Sequence, residues 1–295
     1  MDHIGVTIVP ENCYDDPLEY LDSMNYAVNE LKASALQIFF GQPSSPQRKE
    51  MDHNKLKKIK EFINKNNVYL VIHASFALNF CKQLKENKFA LHNFLNDLKN
   101  AYYSGASGCV LHMGFFFTKN MKIPYLQGID NMVESIKYVI EKLIKLKIDP
   151  FIILETPAKI SEICHTFEHF KILYDKFTNI EKKYVRFCID TAHLHSSGYD
   201  IRSLEDAKNV LNHWDTLIGL DNVEVIHFND SQQLIGSNID QHHAIGFGYI
   251  GNKKMGGDIS GLRYIAQVAK EKGIPIIQET KDPDHKKRIK MIRNW

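Results

Sequence analysis

The chain has 295 residues, of which 44% are hydrophobic and 24% charged, enough apolar material for a self-sufficient core and incompatible with disordered, collagen-like or small disulfide-stapled classes. Its 37 Lys and Arg against 35 Asp and Glu leave a net charge of +2, without the global basicity of a histone-like nucleic-acid binder, so a polyanionic partner must be held by local charge. Nothing approaches the roughly 18 apolar residues of a membrane span, and the start of the chain lacks a secretory pattern; a soluble, intracellular, monomeric protein with no membrane partner is expected.

In chain order, short runs rich in β-branched and aromatic residues are His3 to Val9, Ala35 to Gly41, Val68 to Ser75, Gly108 to Gly114, Pro150 to Thr156, Val185 to His193, Val223 to Asp230 and Ile274 to Thr280. Between them apolar residues recur at helical spacing, clearest in Leu91, Leu95, Leu98 and Tyr102 and in Met132, Val133, Ile136, Ile140 and Leu143. Runs such as "PFIIL" and "IPII" are apolar on both faces, as strands of a helix-covered parallel sheet must be. Eight strand-helix units in this length predict an α/β fold, a (β/α)8 TIM barrel, as a single domain over 1–295. A doubly wound sheet fits less well, because "VPENCYDDP" after the first run offers no glycine for a phosphate turn. Cys13, Cys81, Cys109, Cys164 and Cys188 are odd in number and far apart, which argues for reduced, mostly buried thiols over disulfides or a thiolate metal site. Two basic stretches, Arg48 to Glu61 and Lys281 to Arg293, read as solvated helix faces.

Polar residues fall where the runs end. His73 closes the third run, His112 the fourth, Glu155 the fifth, Asp190 and His193 the sixth, His227 the seventh and Glu279 the eighth, while Asp240 and His242 follow in "NIDQHHAIG". In a barrel these C-terminal ends share one mouth. All nine offer oxygen or nitrogen, the donors of a catalytic zinc centre, and at about three protein ligands per ion they would serve three ions. Glu155 and Glu279 stand out, since an acid ending an apolar strand is costly to bury without a compensating cation, and each carboxylate can bridge two ions. His195 and His243 flank these donors and are expected to support them or to face substrate; the other histidines read as structural or surface residues.

The segments "HASFALN", "LHMG", "LET", "CIDTAH", "IHFNDS", "DQHHAIGFGYIG" and "IPIIQET", in this order, resemble the endonuclease IV family of apurinic/apyrimidinic DNA endonucleases over nearly the whole chain. The resemblance implies three Zn2+ ions, with Mn2+ able to replace one. It places His73 and His112 on one ion, Glu155 bridging to a second completed by Asp190, His227 and Glu279, and His193, Asp240 and His242 on the third. It further implies hydrolysis of the phosphodiester bond 5′ to an abasic site in double-stranded DNA, leaving a 3′-hydroxyl, with Glu155 and Glu279 as catalytic carboxylates. In that family 3′-repair diesterase and 3′–5′ exonuclease activities often accompany incision. Three divalent ions against four carboxylates leave a positive mouth in a nearly neutral chain.

Phe76 is the expected wedge into the gap left by the missing base, and Gln42 lies in another loop that enters DNA in the family. Lys and Arg in the Gly41 to Lys49 loop, in "TKNMK" and in "GNKK" are expected to extend the field along a duplex. The chain departs from the family pattern at "ASFA", at "HMGFFF" in place of a His-Pro-Gly turn, at Pro43 where an arginine is usual, and at Phe247 where glutamate is frequent. The alternatives are a xylose-isomerase-like sugar isomerase or epimerase using a single divalent metal, for which five of the nine donors would be surplus, and a noncatalytic barrel that binds damaged DNA.

Overall fold

A computed structural model describes residues 2–8 and 16–295. Along the chain run β1 (Ile4–Ile8), α1 (Glu19–Asn29), β2 (Ala35–Ile38), α2 (His53–Asn66), β3 (Tyr69–His73), α3 (Lys88–Ser104), β4 (Gly108–Leu111) and the hairpin β5 (Phe117–Thr118) and β6 (Met121–Lys122). There follow α4 (Tyr125–Leu146), β7 (Phe151–Glu155), α5 (Phe167–Asp175), β8 (Val185–Asp190), α6 (Thr191–Ser196), α7 (Leu204–Leu217) and β9 (Val223–His227). The small ladder β10 (Asp230–Ser231) with β11 (His242–His243), then α8 (Ile259–Lys272), β12 (Ile276–Gln278) and α9 (His285–Arg293), complete the chain. The strands β1, β2, β3, β4, β7, β8, β9 and β12 close into one all-parallel barrel, and each of the eight predicted runs supplies one of them. The segment 9–15, with its glycine-free turn and Cys13, lies outside the described residues.

Strand alternation organises the interior, because residues two apart point to the same face. Ala35, Val71, Val110, Ile153, Cys188, Val225 and Ile277 form one fully buried apolar cluster inside the barrel. Gly5 of β1 sits in register beside Ala35 and Ile277, and a Cβ there would lie 1.6 Å from the Ala35 carbonyl oxygen. The strands pass so closely at this point that glycine is required. The larger core lies outside, between strands and helices, with Phe170, Phe187 and Trp214 meeting edge to face where α5 and α7 cover β8. The remaining cysteines, Cys81, Cys109, Cys164 and Cys188, are buried free thiols, as expected.

The first basic stretch matches expectation along α2, where Lys57, Lys58 and Lys60 are exposed, and departs from it at Arg48, which precedes the helix. Arg48 is buried against Asp97 of α3 at 3.2 Å, with both side chains inaccessible. Its Nη1 donates to the carbonyls of Gln42, Ser45 and Gln47. Asn93, Asn96 and Asn100 on the same face of α3 bond to the backbone of residues 48–51. Arg48 therefore shapes the β2–α2 loop from within and is unavailable to a duplex. A buried cation is tolerated here because carbonyls and a carboxylate surround it. α9 behaves as an amphipathic cover, burying Ile289 and Ile292.

Candidate metal centre at the barrel mouth

Two residues beyond the apolar layer, each strand presents a second inward position: Thr7, Gln37, His73, His112, Glu155, Asp190, His227 and Glu279. Six of these eight are predicted donors, so one alternation step converts a hydrocarbon layer into a ring of ligand atoms. His193, Asp240 and His242 join from above. His193 is not on the strand, as its place in the sixth run suggested, because β8 stops at Asp190. Asp190 caps α6, its Oδ1 accepting from the His193 backbone N–H at 2.9 Å. That turn brings the His193 ring back over the mouth. His242 is held on β11 by pairing with Ser231, and Asp240 precedes it in the loop.

The nine converge. The side chains of Glu155, Asp190, His73, His193 and His227 are at most 2% exposed, and Glu279, His112, His242 and Asp240 line the opening. Glu155 faces two ways. Its Oε2 lies 3.4 Å from His73 Nε2 and 3.2 Å from His112 Nε2, and its Oε1 lies 2.7 Å from His227 Nδ1. His227 Nδ1 is 3.3 Å from Glu279 Oε2 and 3.9 Å from Asp190 Oδ2. On the third side, Asp240 Oδ1 lies 3.2 Å from His193 Nε2 and 3.1 Å from His242 Nε2. Donor atoms fall within 4.8 Å of one another in overlapping groups that include His73–His112–Glu155, Glu155–Asp190–His227–Glu279 and Asp190–His193–His242.

The chemistry of this set fits divalent cations. His73 Nδ1 donates to the Ala74 carbonyl at 2.8 Å and His193 Nδ1 to the Thr156 carbonyl at 2.7 Å, so each ring is held with its Nε2 turned inward. Two imidazole nitrogens, His193 Nε2 and His242 Nε2, face each other at 3.4 Å. Glu155 Oε2 is buried with no hydrogen-bond partner. Such orphaned acceptors are costly alone and are satisfied by a shared cation. Burial works to raise the Glu155 carboxyl, but the His112 and His227 imidazoles override it and hold it well below the usual carboxylate range. Burial pushes the His112 imidazole down to about 4 against the opposing pull of Glu155. His242, despite burial, is raised to about 9 by Asp190, Asp240 and Glu279, the signature of a cation-seeking pocket.

Sequence reasoning missed the amides that aim these groups. Gln37 accepts from His227 Nε2 at 2.8 Å and donates to Glu279 Oε1 at 2.8 Å, fixing the His227 tautomer so that Nδ1 faces the donors. Asn229 Nδ2 donates to Asp190 Oδ2 at 2.8 Å and Glu279 Oε2 at 3.0 Å, while its Oδ1 accepts from the Glu279 backbone N–H. The signal for Gln37 was present: it follows Ala35 by two, as His73 follows Val71. Asp230 was also overlooked. Its buried carboxylate gathers the backbone N–H groups of Ser231, Gly246, Ile250 and Gly251 and thereby fixes the loop after β11. His195 is buried in α6 and shares no hydrogen bond with the donor set.

A cavity of about 200 Å³ opens over the donors, walled by Phe39, Pro43 and Phe76. Phe76 is 47% exposed and meets Phe39, His73 and His112 edge-on. It stands on the rim and not in the core. Gln42 is exposed beside Pro43.

Residues 26–259 match the family described as xylose isomerase-like TIM barrel. A protein of Acanthamoeba polyphaga mimivirus assigned as endonuclease 4 is 31% identical over 266 residues, covering 88% of this chain and 81% of its own length. The crystal structure of endonuclease IV from Thermus thermophilus superposes with a TM-score of 0.77 at 21% identity, covering 99% of this chain and 98% of that one. A D-tagatose 3-epimerase-like protein superposes with a TM-score of 0.69 at 18% identity over 99% and 96% of the two chains. These two likenesses establish the shared barrel.

Proposed function

The chain belongs to the endonuclease IV group of the xylose isomerase-like TIM barrel family, and from that premise we propose that it is a DNA repair endonuclease that hydrolyses the phosphodiester bond 5′ to an abasic site, using three Zn2+ ions. The carrying observation is the convergence of nine donor side chains into overlapping groups at one mouth. A single-metal sugar isomerase would leave His73, His112, His193, Asp240 and His242 without purpose, although each is aimed inward.

His73 and His112 would hold one ion with Glu155 bridging to a second, which Asp190, His227 and Glu279 complete; His193, Asp240 and His242 would hold the third. Bound there, divalent ions supply Lewis acidity toward a phosphoryl oxygen and toward water. The protein supplies position. Glu279, anchored at Oε1 by Gln37 and at Oε2 by Asn229, orients the attacking water and takes its proton at a carboxylate oxygen, with Glu155 across from it; the water oxygen bonds to phosphorus as the P–O3′ bond breaks, and the leaving 3′-oxygen takes up a proton from solvent to give the 3′-hydroxyl. Phe39, Pro43 and Phe76 exclude solvent beside the reacting phosphate.

The cavity above the donors, about 200 Å³, lies below the roughly 300 Å³ of ordinary ligand pockets, which suits a baseless sugar better than an intact nucleotide. An unpaired, baseless sugar also leaves the stack at least cost. Phe76, on the rim, is placed to fill the vacated space in the duplex; Phe76→Ala is expected to weaken binding to abasic duplex more than to intact duplex, and equal loss on both would remove the wedge.

The test is a duplex with one tetrahydrofuran abasic analogue, incubated with and without chelator, alongside metal analysis by mass spectrometry. Chelator-sensitive incision 5′ to the analogue with near three zinc per chain supports the reading. One magnesium or manganese per chain without incision supports the isomerase, and tight zinc-replete binding without cleavage supports a damage-binding barrel.

A further inference from the structure

Beside the metal mouth lies a second and larger cavity, about 560 Å³, which shares His242 and Glu279 with the first. Its floor carries Phe247, an aromatic residue that is 48% exposed. His243 stacks on Phe247 with centroids 6.0 Å apart and planes 18° off parallel, and the Arg288 guanidinium lies 4.6 Å from the ring centroid. Arg288 is in turn fixed by Asp282 at 3.2 Å. His243 and Arg288 thus both pack against the Phe247 ring, which remains half exposed where it lines the cavity. Arg288 reaches the ring from α9, while the loop that carries Phe247 is pinned: Gly246 and Gly251 donate to the buried Asp230 carboxylate, and a Cβ on Gly248 would fall 2.1 Å from the Ser231 carbonyl oxygen. Lys281, exposed, stands at the edge of the cavity.

We propose that this cavity is a nucleobase subsite, taking the base of the nucleotide 5′ to the scissile phosphate when that base is released from its complement. The inference rests on the endonuclease reading of the neighbouring donors. If the baseless sugar occupies the smaller cavity and the phosphate lies over the shared Glu279 and His242, strand continuity sends the nucleotide on the other side of the phosphate toward the larger one. Its volume accommodates a nucleoside. A half-exposed aromatic ring with an imidazole and a guanidinium beside it offers a sequence-tolerant stacking surface, since every base has a π face. Lys281 is placed for a flanking phosphate as a mobile point charge. The consequence is a preference for sites whose 5′ neighbour is mismatched or frayed.

The experiment uses a nicked duplex that mimics the product, with 2-aminopurine at the 3′-hydroxyl terminus, either paired or mismatched, and tetrahydrofuran on the other side of the nick. Aminopurine fluorescence reports stacking and anisotropy reports affinity. Wild-type protein is expected to quench the mismatched terminus saturably. Phe247→Ala should remove the quench and weaken mismatched binding by about tenfold, with about twofold or less on the paired terminus. Phe247→Trp, which restores the π face, should restore both, separating lost stacking from a disturbed loop. Lys281→Ala should weaken both probes alike and lower the salt dependence by about one phosphate contact. Equal quench and affinity in wild type and Phe247→Ala overturn the subsite. Wild-type incision of a tetrahydrofuran duplex is followed in parallel. Lost incision with quench intact removes the endonuclease reading and keeps a base site, whereas lost quench with incision intact removes the subsite alone.

Discussion

Two adjacent layers inside this barrel sit one alternation step apart on the same strands and do opposite work. The lower, from Ala35 round to Ile277, is hydrocarbon apart from the Cys188 thiol, whose proton burial holds up to about 12. The upper, from Gln37 round to Glu279, is almost wholly polar. Burial stabilises the first directly. It destabilises the second unless each donor is met by a neighbour, an amide or a cation. The lower layer thus carries the stability that allows the upper to be buried, charged and closely spaced.

The comparison breaks most sharply at Glu279. Glu279→Gln removes one ligand charge and keeps a single acceptor oxygen, so one of the two amide donors, Gln37 Nε2 or Asn229 Nδ2, loses its acceptor; incision of a tetrahydrofuran duplex should fall by about 10²- to 10³-fold while the barrel stays folded. Wild-type turnover would remove this carboxylate from the chemistry. One step down, Ile153→Ala should show the reverse: a loss of about 2–5 kcal/mol in urea unfolding, with turnover per folded molecule unaltered. A matching loss of turnover would mean that the two layers are not separable. Between these extremes, Gln37→Ala should retain the fold but weaken zinc retention by about 10- to 100-fold in competition with a chromophoric chelator. Unchanged retention would show that His227 and Glu279 need no latch.

The smallest effect is expected at the opposite end of the barrel. There Glu224, accepting from the Tyr69 hydroxyl at 3.2 Å, is raised above its ordinary 4.5 by burial. The folded state therefore holds this proton more tightly than the unfolded chain, and stability falls as pH rises from 4.5 through the raised value. Glu224→Gln has no such proton, so its urea midpoint should vary less with pH across that window. Identical pH slopes would sink the assignment.

The barrel was legible because strand burial on both faces and helical spacing between runs are local patterns, and each predicted run contains its strand. The nine donors were legible because four of them end strands and two more, His112 and Glu279, directly follow one, and an acid such as Glu155 after "FIIL" is conspicuous. In "CIDTAH" the spacing of Asp190 and His193 reads as two donors leaving one strand, whereas the Asp190 side chain caps a helix at that point. Arg48 looked like surface charge because its partner, Asp97, is far along the chain, on the face of α3.

The amino-acid sequence determined the alternation of strand and helix, the inward period of two and the identity of the side chains two steps above the apolar layer, all of which depend on neighbours a few residues apart. Closure of the barrel decided the rest: which nitrogen of His227 faces the donors, which carboxylate oxygens remain free, which arginine is buried and which phenylalanines stand exposed. Those outcomes depend on hydrogen bonds and packing between residues up to 242 positions apart, as in Gln37 with Glu279, and such pairings have no signature until the sheet meets itself.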